Sequence, residues 1–313
     1  MTTLGLDTSN YTTSAAVYCN SGSCMNAGQL LDVPEGSLGL RQSDALFSHV
    51  KRLPDQIRKL ENAGMLRGIQ AVGASTRPRA VEGSYMPCFL AGTSQGQVLA
   101  SVLGVPFFAF SHQQGHLAAA AWSAGRMDLL ETPLLAWHLS GGTTELLYVT
   151  PEGSSVHAQR IGGTTDLSAG QLIDRTGKLL GLTFPSGKAL DQLSASSNTT
   201  SQFQVKLKGL EFSLSGMENQ VQNLIRKGTD APDVARFVLN TISSVVVRTT
   251  RQAWESYPGL PLLCSGGVAS NSILRERLKT ECGAVFADPE YSTDNAMGVA
   301  ILAARAKEEE DRT

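Results

Sequence analysis

Charge is scarce in this chain of 313 residues: 17% are Asp, Glu, Lys or Arg, against the ~25% usual for soluble domains. The 26 basic residues nearly balance the 28 acidic ones. That balance excludes a strongly basic nucleic-acid binder, so any RNA contact would use a local patch or a partner. Long hydrophobic runs are also missing. Val98 to Phe110 is the longest and is broken by Ser101 and Gly104, short of the ~20 residues a spanning helix needs. The opening MTTLGLDTSN has no basic start and reaches Asp7 at once, so neither a signal peptide nor a membrane anchor is expected, and a cytoplasmic location is. Five cysteines (Cys19, Cys24, Cys88, Cys264, Cys282) form no CxxC pair. They are expected as buried apolar residues rather than a disulfide framework. What abounds is glycine, with 31 residues. Low charge with much glycine argues against disorder, coiled coil and simple helical bundles, and fits an α/β protein with many tight strand-to-helix turns. The length suggests two domains or one duplicated one, needing no disulfide or metal to fold.

The chain opens with a strand pattern, Thr3 to Leu6, a polar turn from Asp7 to Thr13, and a second strand, Ala15 to Tyr18. A similar hairpin recurs: Leu134 to Leu139, the turn Ser140-Gly141-Gly142-Thr143-Thr144, then Leu146 to Val149. The Thr-Thr pairs at 12–13 and 143–144 lie 131 residues apart. Two such hairpins, each opening about half the chain, predict an internal duplication with halves at 1–132 and 133–313; the last helix is free to pack back on the first half. Helices are expected over Asp44 to Ala63 (with Pro54 at a kink or first turn), Gly92 to Leu103, His112 to Trp122, Ser168 to Leu180, Asp230 to Tyr257, Ala269 to Thr280 and Asn295 to Lys307. Strands are expected at Ile69 to Ala74, Pro106 to Phe110 and Leu262 to Ser265, a loop at Ser194 to Gln204, and a frayed tail from Glu308. This alternation predicts a duplicated actin-like α/β fold (ASKHA, ribonuclease H-like) of two lobes with a nucleotide cleft between them.

Three groups of residues carry chemistry. Hydroxyls and glycines at the hairpin tips, Thr8, Ser9, Thr12 and Thr13 in one and Ser140, Gly141 and Gly142 in the other, are the small donors that a phosphate needs. Gly266-Gly267-Val268-Ala269-Ser270-Asn271 joins a strand to a helix, a geometry that suits a nucleotide or, more plainly, a packed turn with Asn271 as a cap. His112 and His116, spaced i, i+4, share one helix face, as two ligands of one metal would; two surface histidines are the plain alternative. Gln113 stands where a HExxH protease has its glutamate, and an amide is no general base. Asp294 is the best third ligand, or else a helix cap. Asp166, Asp174 and Asp191 are free to bind a substrate hydroxyl or to cap helices.

Together these motifs resemble the TsaD group (also called Gcp or YgjD), the tRNA threonylcarbamoyladenosine-forming proteins. The resemblance runs through Asp7-Thr8-Ser9, His112…His116, Ser140-Gly141-Gly142, Ala169-Gly170 to Asp174, Leu180-Gly181-Leu182, Pro185-Ser186-Gly187, Phe212 to Gly216, Gly266 to Asn271 and Thr293-Asp294-Asn295. It implies that His112, His116 and Asp294 hold one divalent transition metal, iron or zinc. It also implies that Ser140, Gly141, Gly142, Asp174, Gly187, Asp191, Gly266, Gly267 and Asn271 bind an adenine nucleotide: threonylcarbamoyl-AMP, AMP or ATP. The reaction implied is transfer of the threonylcarbamoyl group to N6 of adenosine 37 of tRNA. The partners implied are TsaB- and TsaE-like subunits that bring tRNA, and dimerisation with an actin-like paralogue.

The departures are specific. The family's Cys-Asp-Glu is Asn10-Tyr11-Thr12 here; its Ser-Gly-Gly-His-Thr has Thr143 for histidine; its Asp-Asp-Ala-Ala-Gly-Glu is Asp166 to Gln171; its Gly-Pro-Gly-Leu is Arg77-Pro78-Arg79-Ala80. Such a pattern suits a divergent paralogue. Two further readings follow: a carbamoyltransferase with a different acceptor, and a non-catalytic nucleotide-binding regulator. No side chain stands out as a covalent nucleophile, so catalysis would rest on positioning and electrostatics.

Overall fold

The computed structural model describes residues 1–9, 11–32 and 40–313; Asn10 of the first turn lies outside them. The chain forms two compact units, one of residues 1–132, 150–158 and 294–313, the other of 133–149 and 159–293. Neither unit is a single continuous stretch.

In the first unit a five-stranded sheet has the order β3-β2-β1-β4-β5. Its strands are β1 (Thr2–Asp7), β2 (Thr12–Cys19), β3 (Met25–Leu30), β4 (Ala71–Arg77) and β5 (Phe107–Ser111). β1, β2 and β3 are antiparallel, and β1, β4 and β5 are parallel. One face packs on α1 (Gln42–Asn62) and α2 (Phe89–Leu103) through Leu4, Leu6, Val17, Leu53, Leu60, Val72 and Ala74. Pro54 sits well inside α1, past its first turn. The other face carries α9 (Met297–Glu310) and, beside it, α3 (His112–Ser123). Small residues make this possible. A Cβ on Gly5 would come 2.5 Å from the Ala296 carbonyl and the Ala300 nitrogen, and one on Gly73 would come 3.0 Å from the Val299 carbonyl. α9 continues to Glu310, with an ion pair between Lys307 and Asp311, so the tail expected to fray from Glu308 is helical through Glu310 and leaves the helix only at Asp311.

The second unit has a seven-stranded sheet ordered β12-β11-β6-β7-β8-β10-β9. Its strands are β6 (Leu134–Leu139), β7 (Thr144–Glu152), β8 (Ser155–Thr164), β9 (Leu207–Lys208), β10 (Glu211–Phe212), β11 (Leu262–Ser265) and β12 (Val285–Phe286). Five of them, β12-β11-β6-β7-β8, repeat the order β5-β4-β1-β2-β3, with the parallel and antiparallel pairings in the same places for β12, β11, β6 and β7. The fold is therefore a duplicated α/β fold of the actin type, with β10 and β9 added at one edge. Around the sheet lie α4 (Ala169–Leu179), α5 (Gly187–Ser194), α6 (Gly216–Arg226), α7 (Ala231–Ser256) and α8 (Ser272–Cys282). α7 is buried over most of its length, and the Trp137 indole of β6 donates to Thr250 Oγ1 at 2.8 Å.

Two expectations need correction. Cys88, Cys264 and Cys282 are buried, but Cys19 and Cys24 flank the turn after β2 and are partly exposed. The single helix expected over Ala269 to Thr280 is a short 3-10 turn, Gly267–Ser270, followed by α8; Asn271 takes extended backbone between them and caps the second. No helix among the described residues is long and apolar enough to cross a membrane.

α3 and α9 cross backbone to backbone. A Cβ on Gly298 would overlap the Gly115 carbonyl, and one on Gly115 would come 3.0 Å from Val299. Overpacking of this kind costs about 1–3 kcal/mol. Gly298→Ala should lower the unfolding free energy by that amount, read from a lower urea midpoint, and loosen whatever α3 and α9 hold together; unchanged unfolding would show that the two helices separate freely.

Candidate metal centre and nucleotide ring

α3 starts at the edge of the sheet because Ser111 caps it. The Ser111 hydroxyl accepts from the Gln114 N–H at 3.2 Å, and Gln114 Oε1 accepts from the Ser111 N–H at 2.8 Å. This capping box fixes the first turn. It places His112 and His116 one turn apart, with ring centroids separated by 4.3 Å. Asp294 lies just before α9. The cap position of α9 is Ala296, which has no capping side chain, and the neighbouring Asn295 Oδ1 accepts from the Met297 N–H at 3.0 Å.

The three ligand atoms converge. His112 Nε2 and His116 Nε2 are 2.9 Å apart, and Asp294 Oδ1 lies 3.2 Å from His116 Nε2 and 3.4 Å from His112 Nε2. Ligands held at ~2.1 Å from one ion at angles of 90–110° would be spaced by roughly 3.0–3.4 Å. The donor set, two imidazoles and a carboxylate, is that of a divalent transition metal. Among the described residues this is the one cluster of three such groups within reach of a common ion.

A fourth side chain completes the group. Asp7, the last residue of β1 and 1% exposed, places Oδ2 2.8 Å from His112 Nδ1. The sequence placed Asp7 in the polar turn and in the Asp7-Thr8-Ser9 motif without giving it a role at the metal site; the signal available was an acid at the very end of a buried strand. Burial opposes charge on Asp7, His112 and Asp294, yet their mutual attraction wins. Although burial pulls His112 down, the charge of Asp7 and the hydrogen bonds to Asp294 and Asp7 lift it to about 10. Burial likewise pushes Asp294 and Asp7 up, and the histidine contacts hold both below the ordinary carboxylate range.

The second unit gathers the nine residues expected around a nucleotide on four touching segments. Ser140 Oγ accepts from the Thr143 N–H at 3.1 Å, closing the tip, and Ser168 Oγ donates to the Gly141 carbonyl at 2.7 Å. Gly170, in the first turn of α4, packs so tightly on this tip that a Cβ would come 2.5 Å from Gly141 Cα. One turn on, Asp174 Oδ1 accepts from the Ser186 N–H at 2.8 Å, and burial raises the Asp174 carboxyl against that bond. Gly187 opens α5, whose Asp191 accepts from the Ser272 N–H and hydroxyl at 3.0 and 2.7 Å. Asn271 Oδ1 caps α8 through the Leu274 N–H at 3.1 Å. Gly266, at φ +94°, lies against the Leu139 carbonyl and returns the ring to the tip. Gly141, Gly142, Gly187 and Gly267 have nothing within 4 Å of an added Cβ, and Asn271 Nδ2 is buried without a hydrogen-bond partner. The ring thus has an open glycine rim and a spare buried donor.

The first hairpin tip is different. Thr8 Oγ1 donates to the Cys88 carbonyl at 3.0 Å and accepts from the Gly92 N–H at 3.1 Å, and Thr13 Oγ1 lies 2.8 Å from His49 Nδ1. Thr12 is a buried strand residue. The four hydroxyls therefore do not form the donor cluster expected of them: Thr8 and Thr13 are committed to the protein, and Ser9 Oγ alone is buried without a partner. Asp166 also has a job that sequence reading left open. It accepts from the Leu167 and Leu214 N–H groups at 2.6 and 2.9 Å and from the Ser213 hydroxyl at 2.5 Å, bonds that outweigh its partial burial and hold its carboxyl at about 2. It staples the Phe212–Gly216 segment to the start of α4.

A metal entering the triad must displace the proton that His112 keeps up to about pH 10. Apparent affinity for Zn2+ or Co2+ should therefore rise with pH, by about tenfold per unit between pH 6 and 9, with proton release on binding. Calorimetry in buffers of different ionisation enthalpy measures both, and a pH-independent affinity would overturn this account of the triad.

The sequence model of the TsaD family, described as tRNA N6-adenosine threonylcarbamoyltransferase, matches residues 43–301. An enzyme of that name from Lactococcus lactis subsp. cremoris is 35% identical over 204 residues, 61% of this chain and 58% of that protein. One from Streptococcus pneumoniae is 35% identical over 201 residues with the same coverage. The match thus spans less than two thirds of the length of these curated relatives. Among solved structures, full-length HypF in its phosphate- and nucleotide-bound form shares the fold at TM-score 0.63 and 13% identity, over 98% of this chain and 46% of that one. Component A of the Acidaminococcus fermentans (R)-2-hydroxyglutaryl-CoA dehydratase does so at 0.56 and 18%, over 99% of each. With its family model covering most of the sequence, this chain belongs to the TsaD family.

Proposed function

We propose that the chain is a metal-dependent transferase that moves the threonylcarbamoyl group of threonylcarbamoyl-AMP to N6 of adenosine 37 of tRNA. The observation that carries this reading is the convergence of His112, His116 and Asp294 on one point, in a chain of this family. A metal bound by these three residues, iron or zinc, supplies a Lewis acid for a carbonyl or phosphoryl oxygen. The protein's own share is positioning. Ser140, Gly141, Gly142, Gly187, Gly266 and Gly267 offer backbone and hydroxyl donors to the adenylate, Asn271 Nδ2 adds its unspent N–H, and Asp174 and Asp191 accept from ribose hydroxyls. In the reaction the adenosine N6 attacks the carbamoyl carbon. A C–N bond forms, the C–O bond to the AMP phosphate breaks, AMP leaves with the electron pair, and the N6 proton passes to the departing phosphate or to water. A second reading, a carbamoyltransferase with another acceptor, draws on one position: Leu167, where the family has an acid, is 6% exposed and packs in the apolar core of the second unit.

Gly267 tests the nucleotide ring cleanly. An added Cβ there has nothing within 4 Å, whereas one at Gly266 would strike the Leu139 carbonyl, so a side chain at Gly267 should spare the fold. Gly267→Val should keep the wild-type melting temperature and lose AMP and ATP binding by calorimetry; equal affinity would remove Gly267 from the ring's binding face.

tRNA binding should need partners. Of the basic residues nearest to a patch, Arg277 pairs with Glu281 and donates to Ser243, and Arg275 lies over the Phe286 ring at 4.7 Å. Few free cations mean weak, salt-sensitive binding. A partner surface is at hand on α1 and α2, where Phe47, Val50, Val98 and Val102 are 64, 47, 62 and 79% exposed beside a groove of about 370 Å³ lined by Pro54, Ile57, Ser94 and Leu99. An apolar face of this kind marks an interaction site, and the occupant proposed is an actin-like paralogue of the TsaB type. In a gel shift at physiological salt the chain alone should leave tRNA unshifted. TsaB- and TsaE-like subunits should restore the shift, and Val98→Glu should abolish it. Tight binding by the chain alone would refute the dependence, and no shift with partners present would move the acceptor away from tRNA.

A further inference from the structure

His112 is the first residue of its helix. Its ring can present either nitrogen to an ion, and the choice depends on which one carries the proton. Asp7 removes that freedom. It ends β1, a strand hydrogen-bonded on both sides, by β2 and by β4. Its backbone carbonyl accepts from the Ser14 hydroxyl at 3.2 Å, and Oδ1 accepts from the Ser9 N–H at 2.9 Å. The remaining oxygen, Oδ2, is therefore fixed in place against His112 Nδ1 at 2.8 Å. We propose that Asp7 is the positioning residue of the metal centre: it keeps the His112 proton on Nδ1 and so turns the lone pair of Nε2 toward His116 and Asp294. This rests on the metal-centre reading and extends it to a residue outside the ligand set. The Asp7 carboxylate meets His112 at Nδ1, on the opposite side of the ring from Nε2. A carboxylate behind a metal-bound imidazole also makes the ring a better donor, and losing such a group typically weakens metal binding 10- to 100-fold.

Asp7→Asn is the informative variant, because it keeps the shape and removes the charge, while its amide N–H2 can face Nδ1 and favour the wrong tautomer. The full chain, stripped by a chelator, is titrated with Co2+ and followed by its visible absorption, with Zn2+ as competitor. Wild type should bind one equivalent. Asp7→Asn should bind 10- to 100-fold more weakly with an altered Co2+ spectrum; the metal-free variant should melt lower, since a buried charge pair is lost, but keep the wild-type circular dichroism at the temperature of the titration. In the zinc-loaded, 15N-labelled wild type, a downfield imidazole Nδ1–H resonance assigned to His112 should be visible, and it should shift upfield in the variant. Equal affinity and an identical spectrum in the variant would overturn the positioning role. A wild type that binds neither metal would overturn the metal-centre reading instead. If Asp7→Asn does not fold, the wild-type resonance decides alone, and its absence sinks the proposal.

Discussion

The candidate metal ligands depend on one close crossing. His116 and Asp294 are separated by 178 residues and meet because α3 and α9 touch at Gly115 and Gly298. Any side chain at Gly298 would strike the Gly115 carbonyl and push the helices apart. α9 is in turn set by the sheet, where Gly5 and Gly73 let its backbone down onto β1 and β4 and Thr3 Oγ1 donates to the Ala300 carbonyl at 2.7 Å. Glycine in this unit is less about turns than about the thickness of layers. Removing Cβ atoms from two strands and two helices brings an N-terminal strand end, a mid-chain helix and a C-terminal helix start to a single point.

That point is electrostatically expensive. Asp7 is fully buried, Asp294 and the histidines are largely so, and each charge is tolerated only because the others surround it. Burying ions rarely stabilises a fold by itself, since desolvation offsets the attraction. The cluster is better understood as a site whose charges are held ready for a cation than as a stabilising ion pair. Two ionised acids and a protonated His112 carry a net charge of about −1; a divalent ion that replaces the proton would bring the group to neutrality.

Much of this was readable in the sequence because the informative features were local. The i, i+4 histidines, the Ser-Gly-Gly tip and the Gly-Gly turn lie within single elements, and the repeated Thr-Thr hairpin announced the duplication that the two strand orders display. β3 and β8 were not legible. Their sequences, MNAGQL and SVHAQRIGGT, mix small, polar and charged residues without a clean alternation. β9 and β10, two residues each, carry too little pattern to register. The fate of hydroxyls was also hidden. Nothing in Thr8 or Thr13 says that one is spent on the Cys88 carbonyl and the other on His49, partners 80 and 36 residues away. Asp7 escaped for the same reason, its partner lying 105 residues on.

The departures from the family pattern fall where the fold can absorb them. Thr12 begins β2 and is buried, and Leu167 is buried in the second unit's core, so each replaces an acid with a residue that packs. Asp166 keeps its carboxylate but spends it on Leu167, Ser213 and Leu214. The metal donors, their Asp7 partner and the glycine rim of the ring carry no such replacement. The acids have therefore been exchanged for packing, while the donors that would hold an ion and an adenylate remain exposed to a ligand or unspent, as Asn271 Nδ2 is. Chemistry that depends on a cation and a nucleotide can survive those exchanges, whereas recognition that depends on acids near the transferred group cannot.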